Sequence, residues 1–223
     1  MSYNIAIDGP AGAGKSTIAK IVSKKLGFEY VDTGAMYRAM AVFFLDNGIN
    51  TDDEKEISEA CKDVNIRIEY KDNAQQVILN GENITSRLRT EEVGNTASKT
   101  AVYSEVRKKL VELQKELAKT TDVVMDGRDI GSCVLPDAIC KIYLTASVEK
   151  RAERRMLELK EKGETADFDV IKKDIADRDY RDMNREVSPL VIADDAVLVD
   201  SSYMGIDEVV DTKIKIFNEK AGK

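Results

Sequence analysis

Residues 9–17 limit this chain more sharply than any other stretch. Gly9, four intervening residues and then Gly14-Lys15-Ser16 satisfy G-x-x-x-x-G-K-[ST], a pattern whose glycines let backbone N–H groups turn inward around phosphate oxygens. Residues 3–7 before it read as a buried strand, and Ile18, Ile21, Val22 and Leu26 after it repeat at helical spacing. A loop placed between strand and helix sets the positive end of the helix against the anion. In that geometry Gly9, Pro10, Ala11, Gly12, Ala13, Gly14, Lys15, Ser16 and Thr17 cradle a triphosphate, with Lys15 on the β- and γ-phosphates and the Ser16 hydroxyl on Mg²⁺. The competing reading is a glycine-rich turn that binds nothing.

Length and charge narrow the rest. A chain of 223 residues suits one α/β domain with a small insertion. With 41 acidic against 34 basic residues, the net charge of -7 argues against a binder of nucleic acid polymers, so any anion site is local. The longest apolar run, residues 39–45, is too short to span a bilayer, and no signal-peptide pattern is present, so a cytoplasmic protein with no membrane partner is expected. Cys61, Cys133 and Cys140 form no C-x-x-C pair and read as small core residues. Histidine is absent, which removes Ser-His-Asp and Cys-His mechanisms and leaves chemistry driven by positioning and charge, such as phosphoryl transfer.

Along the chain, βα alternation predicts an α/β fold. A second strand (29–31) and a turn (32–34) lead into a helix from 35 to 45 that carries Arg38. A helix over 52–64 and short antiparallel strands over 65–70, 76–79 and 82–85 interrupt the alternation, with Asn80-Gly81 as a hairpin signal. Residues 54–100 therefore read as an insertion in a core made of 1–50, 101–150 and 186–223. A helical region over 90–119, containing Ser98 and Arg107, is expected to break at 101–104 with Ser104 as N-cap. Residues 122–126 form an apolar strand ending in Asp126, a carboxylate able to hold Mg²⁺ directly or through water. Arg128 and Asp129 follow at the strand's carboxyl end, where parallel sheets bind ligands.

Further on, a strand over 138–144 precedes a charged helix over 148–162 with Arg151, Arg154 and Arg155 on a shared face; pairing with Glu149, Glu153 and Glu158 is an equally available reading. Residues 155–169 are expected to supply a short lid. A helix over 169–186 aligns Arg178, Asp182 and Arg185 in a polar row, which either pairs within the helix or presents guanidiniums to a phosphate in transfer. A last strand ends at Asp200, and a helix over 205–218 closes the chain.

The residue runs 5–17, 31–38, 126–131 and 178–190 resemble, together and in this order, the bacterial cytidylate kinase family. The resemblance implies a P-loop NTPase of nucleoside monophosphate kinase type: a five-stranded parallel sheet with flanking helices, a small antiparallel β insertion in the monophosphate-binding region and a short lid. It implies transfer of the γ-phosphoryl group from MgATP to CMP or dCMP; nothing in the sequence suggests an obligate oligomer, so a monomer is expected. Carried across by motif, Lys15, Arg128 and Arg185 are catalytic and Arg154 lies on the ATP side. Arg38 and Arg128 grip the acceptor phosphate, Arg178 and Asp182 the sugar, and Arg185 the phosphates near transfer. Ser98, Arg107 and Asp129 read the base, with Thr33 nearby. Cytosine offers an amino donor and a ring-nitrogen acceptor where uracil offers the reverse, which suits a carboxylate beside an arginine. A kinase of the same fold acting on UMP or AMP, and a regulatory nucleotide switch, are the alternatives.

Overall fold

The computed structural model describes residues 3–71, 74–161 and 163–222. Strand β1 (Asn4–Asp8) sits at the centre of a five-stranded parallel sheet ordered β2-β6-β1-β7-β8, with β2 at Glu29–Asp32, β6 at Val123–Asp126, β7 at Cys140–Thr145 and β8 at Val197–Asp200. In register, Ile7 lies opposite Asp126 on one side and Ile142 on the other. Strands covered on both faces must be apolar along their length, and β1, β6 and β7 are buried almost throughout. From β1 the chain returns on one side, and from β6 on the other. That reversal opens a crevice at the carboxyl ends of β1 and β6.

The chain divides into two compact units, one formed by Met1–Tyr30 with Asp122–Lys223, the other by Val31–Thr121. The core of the first gathers Ile5, Ile7 and Ile142 from the sheet, Ile18 and Val22 from α1 (Lys15–Leu26), and Val210 and Phe217 from α8 (Ile206–Ala221). Helices α6 (Val148–Glu161) and α7 (Phe168–Asn184) pack on each other through a separate small cluster of Ala152, Ile171 and Ile175.

In the second unit α2 (Thr33–Asp46), α3 (Glu54–Ala60), α4 (Glu91–Thr100) and α5 (Ser104–Thr120) accompany an antiparallel sheet of β3 (Ile66–Lys71), β4 (Ala74–Leu79) and β5 (Glu82–Asn83). Asn80 and Gly81 both take positive φ (47° and 91°) between β4 and β5, as the expected two-residue hairpin requires. Helix α2 begins where it does because Asp32 accepts from the Ala35 N–H at 3.0 Å.

Several boundaries differ from the sequence reading. The helix expected over 52–64 ends at Ala60 and tightens into a 3₁₀ turn, Cys61–Asp63. Ser104 lies inside α5; the capping position belongs to Tyr103, which makes no side-chain cap bond. Helix α7 starts one residue early, because Asp167 caps it by accepting from the Asp169 and Val170 N–H groups. It ends at Asn184, so Arg185 is extended (ψ 145°) and leaves the helical row. A π-helical turn, Ile130–Val134, stands where no element was expected. The expected helix end at Lys162, and that residue of the lid segment, lie outside the described residues. No helix among the described residues is long and apolar enough to cross a membrane.

Candidate active site

Glycine is forced at the start of the loop. A Cβ on Gly9 (φ +144°) would stand 1.9 Å from the carbonyl oxygen of Leu144 on β7, so the backbone can enter the turn only without a side chain. Gly14 (φ +84°) then turns the chain into α1, whose first N–H groups receive no side-chain cap. That leaves backbone donors for an anion. Lys15, 5% exposed, donates to the Pro10 carbonyl at 2.7 Å. Burial first, and then the neighbouring Arg128 charge, push its ammonium well below the usual lysine range, against the pull of Asp126, Asp182 and Asp8.

Asp126, at the end of β6, accepts from Ser16 Oγ at 2.9 Å on one oxygen and from Tyr30 OH at 2.8 Å on the other. The loop hydroxyl and the strand-end carboxylate are therefore a preformed pair. Among the described residues no cluster of three His, Cys, Asp or Glu side chains could bind a metal unaided. A hydroxyl and one carboxylate are instead the hard oxygen donors that suit Mg²⁺ carried in on phosphates.

Two arginines beyond β6 are held by carboxylates distant in sequence. Arg128 Nε donates to Asp182 Oδ2 at 2.7 Å, and Arg185 Nη2 lies 3.5 Å from Asp129 Oδ1 in a buried ion pair. Arg185 Nε also donates to the Ser188 carbonyl at 2.7 Å. Burial works to raise the Asp182 carboxyl, but Arg128, with Arg178 and Arg185 behind it, holds it below the usual range. Lys15, Ser16, Asp126, Arg128, Arg178, Asp182, Arg185 and Asp129 thus form one charged neighbourhood within this unit.

The α6 arginines send their guanidiniums to different partners. Arg151 is buried, with its guanidinium on the Ala11 and Ala146 carbonyls (both 2.9 Å) and on Asp179 Oδ2 at 2.6 Å. Arg154 is half-buried and donates to the Ser201 carbonyl after β8 at 2.6 Å, away from the cluster above. Arg155 is exposed beside Glu158 at 2.8 Å. Spacings of three and four residues allow one face, but a guanidinium on a long stem goes to whichever partner packing offers.

In the Val31–Thr121 unit, α2 packs against α4 and α5. Arg107, on α5, is buried, with its guanidinium carbon 5.8 Å from the Tyr37 ring centre and Nη1 donating to the Ala101 carbonyl at 3.2 Å. Ser98 is half-buried on α4, and Thr33 is buried at the start of α2. Arg38 folds back over the first turn of α2: a Cβ on Gly34 would lie 3.2 Å from both its Nη1 and Asp32 Oδ1. Asp32 also pairs with Arg89 at 3.0 Å.

Other contributors escaped the sequence reading. Asp8, at the end of β1, accepts from the Ile130 and Gly131 N–H groups at 2.8 and 2.7 Å and so fixes the segment after Arg128-Asp129. Burial lifts its carboxyl to about 6 despite those two bonds. A carboxylate closing an apolar strand was the available signal. Gln75 bonds both the N–H (2.8 Å) and C=O (3.3 Å) of Asp32, standing in for a strand partner, and nothing local in the sequence marks it.

The chain is similar to known proteins along nearly its whole length. A family model described as cytidylate kinase matches residues 5–219. The cytidylate kinase of Shouchella clausii is 50% identical over 217 residues, covering 97% of this chain and 96% of its own. That of Geobacillus sp. is 48% identical over 221 residues, covering 99% of each. Among solved structures, shikimate kinase from Bacteroides thetaiotaomicron superposes with a TM-score of 0.52 at 11% identity over 99% of each chain, a likeness of fold alone.

Proposed function

The chain belongs to the cytidylate kinase family and phosphorylates CMP and dCMP with ATP, and from that premise we propose how its own side chains divide the work. Residues 9–17 wrap the donor phosphates, with α1 presenting its uncapped N-terminus and Lys15 turning from the Pro10 carbonyl to the β- and γ-oxygens. Mg²⁺ would be held by Ser16 and Asp126 together with the phosphates; when bound, it neutralises charge on the group in transfer.

Arg128 and Arg185 lie on either side of the reacting phosphates, and Arg38 grips the acceptor phosphate. Arg178 and Asp182 hold the sugar. Asp129 accepts from the cytosine amino group while Arg107 donates to the ring, with Ser98 and Thr33 completing the base pocket. Arg154 serves the ATP side. No general base is required, because an acceptor phosphate oxygen is already a nucleophile and the loose transition state calls chiefly for positioning and charge. Closure of the segment between α6 and α7 excludes water, which would otherwise take the phosphoryl group.

The observation that supports this most is the meeting of Lys15, the Ser16–Asp126 pair and the Arg128–Asp182 pair at the carboxyl ends of β1 and β6. The test is an acceptor panel of CMP, dCMP, UMP and AMP with MgATP, run on the natural chain and on Asp129→Ala. The natural chain is expected to favour the cytidine nucleotides and the variant to lose much of that preference. An unchanged ratio moves base reading elsewhere.

A further inference from the structure

Arg151 has no part in the reading above, yet it is among the most heavily engaged side chains of its unit. It is 4% exposed, and its Nη1 both donates to the Ala11 carbonyl at 2.9 Å and pairs with Asp179 Oδ2 at 2.6 Å. Its Nε donates to the Ala146 carbonyl at 2.9 Å, tying it to the end of β7. Its stem backs the loop, since a Cβ on Gly12 would lie 3.4 Å from Arg151 Cβ.

A phosphate loop works by turning N–H groups inward, so its carbonyls must point outward and still find donors. Ala11 is buried, and Arg151 supplies that donor. The same guanidinium reaches α7 at Asp179, one turn before Asp182, the partner of Arg128. One buried cation therefore spans the loop that holds the donor phosphates and the helix that orients a transfer arginine.

We propose that Arg151 is a positioning residue for phosphoryl transfer: it sets the shape of the phosphate loop and, through Asp179, locks that shape to the register of α7 without touching either nucleotide. This rests on ATP binding at residues 9–17. Lys15→Met tests that separately, because near-normal turnover there would remove the loop reading whatever Arg151 does.

The experiment measures KM for ATP and CMP, kcat and thermal stability for Arg151→Met, Arg151→Lys, Asp179→Asn and the double variant Arg151→Met/Asp179→Asn. Misplacing a loop by a fraction of an ångström predicts a rise in KM for ATP of about tenfold in Arg151→Met and about threefold in Asp179→Asn, with KM for CMP nearly unchanged. Arg151→Lys is expected to resemble Arg151→Met, because a single ammonium cannot serve two carbonyls and a carboxylate in the geometry of a planar fork. The double variant is expected to be no worse than Arg151→Met, as for residues acting as one unit. A normal KM for ATP in Asp179→Asn beside a raised one in Arg151→Met would overturn the proposal in favour of direct contact with nucleotide. Lowered melting temperatures with unchanged KM values would overturn it in favour of stability alone. If Arg151→Met does not fold, Arg151→Lys and Asp179→Asn decide by the same criteria.

Discussion

We assign both Arg128 and Arg107 to the acceptor nucleotide, and the contacts that orient them differ in kind and in reach. In the unit built on β1, Arg128 is fixed by a carboxylate 54 residues away, and Arg185 likewise faces Asp129. In the Val31–Thr121 unit, Arg107 lies over the Tyr37 ring and donates to a carbonyl six residues earlier. A cation met by a buried carboxylate is strongly oriented, but it leaves an uncompensated charge behind if either partner is removed. A cation over a ring and a carbonyl is oriented more weakly and more locally. In the proposed reading, the arginine set by a distant carboxylate serves the acceptor phosphate and the one over the ring serves the base.

The contrast can be broken at its most charged point. Lys15→Met should lower kcat by about 10²- to 10³-fold if this lysine meets the developing charge as proposed. Its melting temperature should hold or rise, because the lysine is desolvated in the free chain. A kinetic assay paired with thermal melting checks both halves.

Next in size is a difference between the two arginines. Arg128→Met should cost about 2 kcal/mol of stability by removing the nearest partner of the partly buried Asp182, and Arg107→Met less. Urea unfolding of both variants measures it, and equal losses would erase the distinction. Asp129→Ala should shrink the preference for CMP over UMP by about tenfold, in the ratio of kcat/KM.

The smallest effect sharpens the comparison with a cation that has been given nothing. Lys213, on α8, is 1% exposed and its Nζ has no hydrogen-bond partner among the described residues. Burial lowers its ammonium to about 7. Between pH 7 and the ordinary lysine value of 10.5, the unfolded chain keeps a proton that the folded chain has released, so stability rises with pH across that window. The contribution is about 1 kcal/mol per pH unit, and Lys213→Met should abolish it in unfolding curves taken from pH 7 to 9.

Local rules made much of this legible. The loop spacing, the strand ending in Asp126 and the Asn80-Gly81 hairpin follow from backbone conformations that few residues satisfy. Side chains that choose among distant partners lie beyond such rules. Arg151, Arg154 and Arg155 occupy equivalent spacings and end on a loop carbonyl, a carbonyl after β8 and a glutamate in their own helix. Arg185 continues the helical row on paper, but α7 ends before it and its side chain turns to Ser188. The tasks of Asp8 and Gln75 depend on segments 122 and 43 residues away, beyond any periodicity.

The contact between α6 and α7 carries a last consequence. Its buried seam consists of Ala152, Ile171 and Ile175, while β1 and β7 share a far larger oily interior. Solvent deuterium should therefore reach the amides of Ile171 and Ile175 well before those of Ile7 and Ile142. Exchange in that order would mark the helical pair as the most readily loosened layer of this unit, held to the sheet by the contacts of Arg151 and Asp182 more than by its own oily seam.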